Sequence, residues 1–327
     1  MKKLDLLKRR VFWVASLSVL GVAVIVAFGF YQSVLAAEAK PIQQKTFKTP
    51  EEAAKSLMEA VKSNNTKELM AIFGPAGKEL ISSGDEVADK AGREHFVKDC
   101  EEMNKLEKET DKKVILVVGS REWPLPIPIV KKGETWVFDT KAGKEELLNR
   151  RIGRNELNTI QTCLAYVDAQ REYALKDRDS DKVREYAQKF WSTPGKKDGL
   201  YWETKEGEKP SPFGSVAAEA VQAGYKPKKP GDKPVPYHGY YYKILKAQGK
   251  NAPDGAYDYV VKGNMIGGFA LVAYPAEYGT SGIITFTVNH EGVVYEKDLG
   301  KETVKIASAM TKFDPDKTWK KVEEQKK

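Results

Sequence analysis

Three histidines and two cysteines are the scarce chemical resources of this 327-residue chain. His238 has the one suggestive setting, inside Tyr237-His238-Gly239-Tyr240-Tyr241-Tyr242. With Asp258 and Ser281 it completes a Ser-His-Asp set on paper, in which the imidazole takes the hydroxyl proton and the carboxylate orients it. No Gly-x-Ser-x-Gly elbow surrounds Ser281, so the residue types are present without the turn that exposes a nucleophile. Tyr240 and Tyr242 alternate along a strand, where aromatics either stack a sugar or pack as ordinary sheet side chains. His290 falls in Asn289-His290-Glu291-Gly292, a tight turn and a poor place for a buried base.

Charged clusters offer less. Asn149-Arg150-Arg151-Ile152-Gly153-Arg154-Asn155-Glu156 is dense in hydrogen-bonding groups, and Arg150, Arg151 and Arg154 either form an anion site or make a solvated helix face and interdomain contacts. Asp177-Arg178-Asp179-Ser180-Asp181 opens like a calcium loop but has Lys182 where the loop needs Gly and Gln188 where it needs a bidentate Glu. It is expected to be a capped turn entering a helix at 183–190. So few Cys and His exclude a zinc ribbon, an iron–sulfur cluster and haem attachment. No catalytic, cofactor or metal residue is assigned.

Residues 1–39 read as an address. Lys2, Lys3, Lys8, Arg9 and Arg10 precede an uncharged run from Val11 to Phe30, then Ala36, Ala37 and Ala39. Basic, apolar and small-residue zones in that order make a secretory signal, cleaved after Ala36 or Ala39, or a retained anchor using residues 11–30. Either way the remainder is expected outside the cytoplasmic membrane, periplasmic or extracellular, touching membrane only through this segment. The net charge is +8; the leader carries five bases and two acids, so about +5 remains on the rest. That weak field argues against a nucleic-acid partner. The basic cluster Lys226, Lys228, Lys229 and Lys233 is interleaved with prolines and reads first as a stiff loop, second as an anionic-surface contact. In an oxidising compartment Cys100 and Cys163 would form a disulfide or stay as two buried thiols, since both fall on expected helices among apolar neighbours.

The periodicity supplies the elements that must carry these residues. Thr49 and Pro50 start a helix, Thr66 restarts one as far as Phe73, and a third runs from about Val87 to Leu106. Strands follow at 114–118, 127–130 and 135–138. Trp123-Pro124-Leu125-Pro126-Ile127-Pro128 is either an edge blunted by prolines or an apolar lip at a pocket, which makes Trp123 a surface candidate. A long helix is expected over 141–176, a short one near 216–221, then strands at 240–245, 269–274, 283–288 and 293–295. The fold class is α+β: helices on a small antiparallel sheet over 46–140, then a long helix leading to a second, Tyr- and Gly-rich antiparallel sheet over 141–319, with a charged tail at 320–327.

The helix pair at 49–73 and the hairpin at 123–139 resemble a cystatin-like or nuclear-transport-factor-like fold. The long helix ending Ala169-Gln170-Arg171-Glu172-Tyr173-Ala174, followed by the small sheet, resembles the globular part of type IV pilins, without a prepilin cleavage site. Ala165-Tyr166-Val167-Asp168-Ala169-Gln170, Asp198-Gly199-Leu200-Tyr201-Trp202, Gly267-Gly268-Phe269-Ala270-Leu271-Val272-Ala273 and Tyr278-Gly279-Thr280-Ser281-Gly282 carry a more specific likeness, as do the Trp123–Pro128 and Asn149–Glu156 strings. Together they resemble the exported bacterial family catalogued as domain of unknown function 2950, which implies export and no assigned activity. The expectation is an exported envelope protein that binds a small ligand or an envelope protein and is not an enzyme. A hydrolase acting on cell-wall or carbohydrate material through His238, and a pilin-like assembly subunit, are the alternatives.

Overall fold

The Thr49 hydroxyl accepts from Glu52 N at 3.2 Å and Pro50 occupies the first turn, so the first helix is capped and its φ preset. This is α1 (Pro50–Lys62); α2 (Thr66–Phe73) follows after an Asn65 cap. Their apolar stripes, including Leu57, Val61, Leu69 and Ile72, face one core. The computed structural model describes residues 43–178, 180–225 and 234–323. The leader at 1–39, Asp179 of the acidic loop, the basic cluster within 226–233 and the tail residues 324–327 lie outside the described residues. Among the described residues, no helix is long and apolar enough to cross a membrane.

A 3₁₀ turn at Pro75–Gly77 and the single-turn α3 (Lys78–Ile81) lead to α4 (Glu86–Glu102), capped by Asp85. The helix expected as far as Leu106 stops earlier, because Met103 turns to extended backbone and Asn104 Nδ2 donates to the Cys100 carbonyl at 2.8 Å. Leu106 instead lies in β1 (Asn104–Thr110), paired antiparallel with β2 (Lys113–Val118). That strand has one large apolar residue among charges, a solvated edge without the alternation that announces a strand. β3 (Trp123–Pro124) also lies beside β2, and β4 (Ile129–Lys132) and β5 (Thr135–Phe138) close a sheet of order β1-β2-β4-β5. Leu116, Ile127, Ile129 and Phe138 meet the helices in the first core.

α5 (Thr140–Tyr173) has 34 residues and is therefore about 50 Å long. Leu147 near its start packs on the first core, while Cys163, Tyr166, Val167, Ala169 and Tyr173 belong to a second. Gly143 lets it begin there: a Cβ at that position would stand 2.2 Å from the Pro126 carbonyl oxygen and 2.6 Å from Ile127 N. After α5 the expected helix at 183–190 does not form. The segment is irregular, with one β-bridge in which Tyr186 N donates to Met265 O at 2.8 Å, and Ala187 bonded at both N and O by the amide of fully buried Gln170. A long-range partner overrides the local pattern there.

α6 (Gly214–Gln222) precedes the second sheet. Its strands are β6 (Tyr240–Leu245), β11 (Ala270–Pro275), β12 (Ile284–Asn289), β13 (Val294–Asp298) and β14 (Lys320–Lys321), in the order β14-β13-β12-β11-β6, all antiparallel. Residues 320 and 321, read as the start of a charged tail, thus form an edge strand on β13, which the pattern of two lysines does not signal. Between β6 and β11 lie two ribbons, β7 (Ala247–Gln248) with β8 (Tyr257–Asp258), and β9 (Val260–Val261) with β10 (Asn264–Met265). α7 (Thr303–Ala309) follows β13, and Phe269, Leu271, Phe286, Ala307 and Phe313 are fully buried in the second core. The fold is mixed α+β, with the long helix between two antiparallel sheet regions.

Replacing Gly143 with Ala should lower stability by about 1–3 kcal/mol, because the methyl group meets backbone that cannot move aside. Gly153 on the same helix has no heavy atom within 4 Å of a built Cβ, so Gly153→Ala should be neutral or stabilise by about 0.5–1 kcal/mol. Paired urea titrations check both; equal effects would mean that α5 is not held against the Pro126 backbone.

Candidate functional site

Asp85 is fully buried, and it is the polar centre of the seam between the α3–α4 loop and the tyrosine-rich region. Its Oδ1 accepts from Ala88 N at 3.0 Å, the helix cap. Its Oδ2 accepts from the Tyr225 hydroxyl at 2.7 Å and from Gly239 N at 2.8 Å. The Tyr225 oxygen in turn accepts from His238 N at 3.2 Å. His238 and Gly239 both have positive φ, +52° and +76°, and a Cβ on Gly239 would stand 2.6 Å from Asn155 Nδ2. Burial raises the Tyr225 phenol above its ordinary pKa, with the Asp85 carboxylate pushing the same way, so the hydroxyl stays a donor.

The arginine run does not converge on an anion site. Arg151 donates to the carbonyls of Glu79 and Leu80 at 2.5 and 2.6 Å, and Arg93 to that of Ile81 at 3.1 Å. These are the orphan carbonyls at the end of α3, a position that also favours positive charge. Burial pulls the Arg151 guanidinium below its ordinary value, opposed by nearby Asp89. Arg150 pairs with Glu146 at 2.7 Å and lies 5.6 Å from the Trp123 ring centroid, an exposed cation–π contact. Arg154 is exposed. Trp123 is half-buried, and Leu125 and Ile127 beside it are buried in the first core rather than forming an open lip.

Nor do Ser281, His238 and Asp258 meet as a triad. The Ser281 hydroxyl is spent on a turn, donating to Glu277 O at 3.1 Å and accepting from Glu277 N at 2.9 Å. Asp258 pairs with Ala247 beyond the far end of β6, whereas His238 precedes its start. A six-residue strand separates them, about 20 Å of chain. The histidine ring instead contacts the Tyr237 ring, with centroids 4.1 Å apart, and Asn158 Nδ2 lies 3.4 Å from its Nδ1. Tyr240 is fully buried, donating to Ile284 O at 2.9 Å, and Tyr242 packs on the same core with its hydroxyl 3.4 Å from Thr159 Oγ1. His290, expected at an exposed turn tip, folds inward between the Tyr259 and Phe269 rings, 5.8 and 6.2 Å between centroids. Gly268, where a Cβ would lie 2.7 Å from the imidazole Nδ1, makes room for it.

Of the two alternatives for the cysteines, the structure has free thiols: Cys100 is in the first core and Cys163 in the second. Burial pushes both up to about 12, so neither offers a thiolate near neutral pH. Among the described residues, no group of three His, Cys, Asp or Glu is arranged to hold a metal.

A different cluster lines open space. A depression of about 430 Å³ lies between the 185–189 segment, Lys246 and the β9–β10 turn. Lys246 Nζ donates to Gln188 Oε1 at 2.9 Å, Gln188 Nε2 donates to Gly263 O at 2.6 Å, and Asn264 Nδ2 donates to Asp181 Oδ2 at 2.7 Å. On the other wall Lys189 and Asp198 form an ion pair at 2.7 Å. These residues come from four separate stretches of chain, which is why sequence reading missed them. Asp85 left a fainter trace, an Asp just ahead of the apolar spacing of α4, but nothing local points to Tyr225 or Gly239.

Asp85→Ala should cost about 2–5 kcal/mol, from the lost cap and two stranded donors, and Tyr225→Phe only about 1 kcal/mol. Chemical denaturation of both and of the double variant reads the coupling; strict additivity would mean the seam is not held through this pair. Burial also lowers the His238 pKa, Arg154 in the same direction, while Asp85 and Glu219 oppose. The unfolded chain then takes up that proton first, so stability falls as pH drops below about 6.5. Asn tolerates the positive φ, and His238→Asn should flatten the stability profile between about pH 7.5 and 5.5. Parallel profiles in the two proteins would exclude His238 as a source of the slope.

Residues 44–322 match the family model described as "Protein of unknown function (DUF2950)". No curated protein and no solved structure matches the chain. The match spans both cores, α5 and both sheets, and on that extent the chain belongs to the DUF2950 family.

Proposed function

We propose that this is an exported cell-envelope protein that works by binding, not by breaking covalent bonds. The observation that carries this reading is the polar depression, whose side chains are held in place by bonds to neighbouring backbone and side chains while they line open space. The depression, about 430 Å³, is open to solvent and mainly polar, so it suits a weakly held polar ligand rather than a deeply buried apolar one. Support also comes from the employment of the reactive residue types: Ser281 closes a turn, Asp85 caps a helix and the tyrosines fill a core. The partner is a small ligand or an envelope protein; nucleic acid is disfavoured by the weak net charge.

Export rests on the basic, apolar and small-residue zones of residues 1–39. Fractionation of cells making the full chain, followed by N-terminal sequencing, should find it in the envelope or medium. Its first residue there should be Ala37 or Lys40 after cleavage, or Met1 if the segment anchors it. Recovery in the cytosol would overturn the reading.

A further inference from the structure

We infer that the depression is a site for an uncharged, hydroxyl-rich ligand, a saccharide of one or two rings; this rests on the reading of the chain as a binding protein. Charge is the first reason. The formal charges of the lining sum to zero, Glu185 and Asp198 against Lys189 and Lys246; Lys189 is paired with Asp198, and Glu185 is engaged by Met265 N at 3.0 Å. Such a lining favours neither an anion nor a cation.

Valence is the second. An amide side chain has two N–H donors and an oxygen with two lone pairs. Gln188 gives one N–H to Gly263 O and one lone pair to Lys246, keeping one donor and one acceptor position. Asn264 gives one N–H to Asp181 and keeps the second, together with its oxygen. Lys246 Nζ gives one of its three donors to Gln188. Two amides and an ammonium are thus each fixed in orientation by one bond while holding further capacity. Donor and acceptor positions occur side by side on neighbouring groups, since Gln188 is bonded to the carbonyl of the residue that precedes Asn264. A sugar hydroxyl donates and accepts at once, and adjacent hydroxyls need such mixed neighbours.

The third reason is aromatic. Tyr186 lines the depression half-buried, its orientation set by an edge-on contact with Phe269 at 4.8 Å between centroids. An aromatic wall with a polar rim is amphipathic in the same sense as a sugar ring, apolar on its C–H face and polar at its edge. The frame is also rigid: the Tyr186–Met265 bridge and the Gln170 clamp on Ala187 hold the segment that carries Gln188.

The test is calorimetric titration of the full chain, in a detergent without a sugar headgroup, with cellobiose, maltose and N,N′-diacetylchitobiose. Glycylglycine and sodium glutamate serve as charged controls. At least one disaccharide should bind with a millimolar constant and the charged controls more weakly. The double variant Gln188→Ala, Asn264→Ala should weaken binding by about tenfold or more, the loss of two hydrogen bonds. Lys246→Met, at an exposed position, keeps the stem and removes the donor, and should weaken binding with no change in thermal midpoint, which separates lost contacts from lost fold. No heat from any disaccharide at about 10 mM, tighter binding of a charged control, or unchanged binding in both variants would overturn the proposal. A blank titration of protein recovered from the envelope would discard this ligand class while leaving export standing.

Discussion

The side chains of one helix hold the irregular parts of this protein in place. Buried backbone groups must find partners, and outside the helices and sheets few are available. α5 supplies them over most of its length. Arg151 takes the carbonyls ending α3, Asn155 the Ser281 carbonyl, Glu156 the amides of Ile283 and Ile284, Gln170 both sides of Ala187, and Arg171 the His290 carbonyl. Those segments are distant from one another in sequence and meet on a single rod. The helix therefore serves two hydrophobic cores and also fixes the loops around them.

This explains why residue types that suggest chemistry are largely structural here. An arginine run next to acids resembles an anion site, yet its buried member closes a helix end. A serine after Gly-Thr looks like a nucleophile, yet both its bonds run to the backbone of Glu277. A buried carboxylate at the seam has the form of a general base, yet it accepts three hydrogen bonds from the protein and does not line the depression. The amides of Gln188 and Asn264 and the ammonium of Lys246 are instead fixed by bonds to neighbouring groups and face an open depression.

Much of the architecture was legible from pattern alone. The capped start at Thr49, the 34-residue helix, the span of β6 and the Asn289–Gly292 turn all follow from local rules of caps, periodicity and glycine. Several elements did not, α3, α7 and the β7–β10 ribbons among them, and three more show why. β1 is a charged edge with no alternation, β14 is two lysines, and the 183–190 segment has helical spacing but is claimed by Gln170 and Met265. β1 is fixed by the adjacent β2 across a tight turn, whereas for β14 and the 183–190 segment the deciding partner is remote in sequence. The same holds for the depression, assembled from residues near 188, 198, 246 and 264, and for Asp85. His290 failed for a related reason: the turn was right, but the room made for its ring by Gly268 appears only once β11 and β12 are paired.

The Asp85 latch bears on the order in which the chain can fold. Its two distant donors, Tyr225 and Gly239, lie 140 and 154 positions downstream. Sealing an ionised carboxylate from water before they arrive would leave it short of two of its three donors, so closing the loop leading into α4 is favoured only with the tyrosine-rich region in place. Completion of the amino-terminal layer thus depends on residues well over a hundred positions downstream. In a chain emerging from its amino terminus those donors appear late, and until they do a protease or a chaperone would find that seam open.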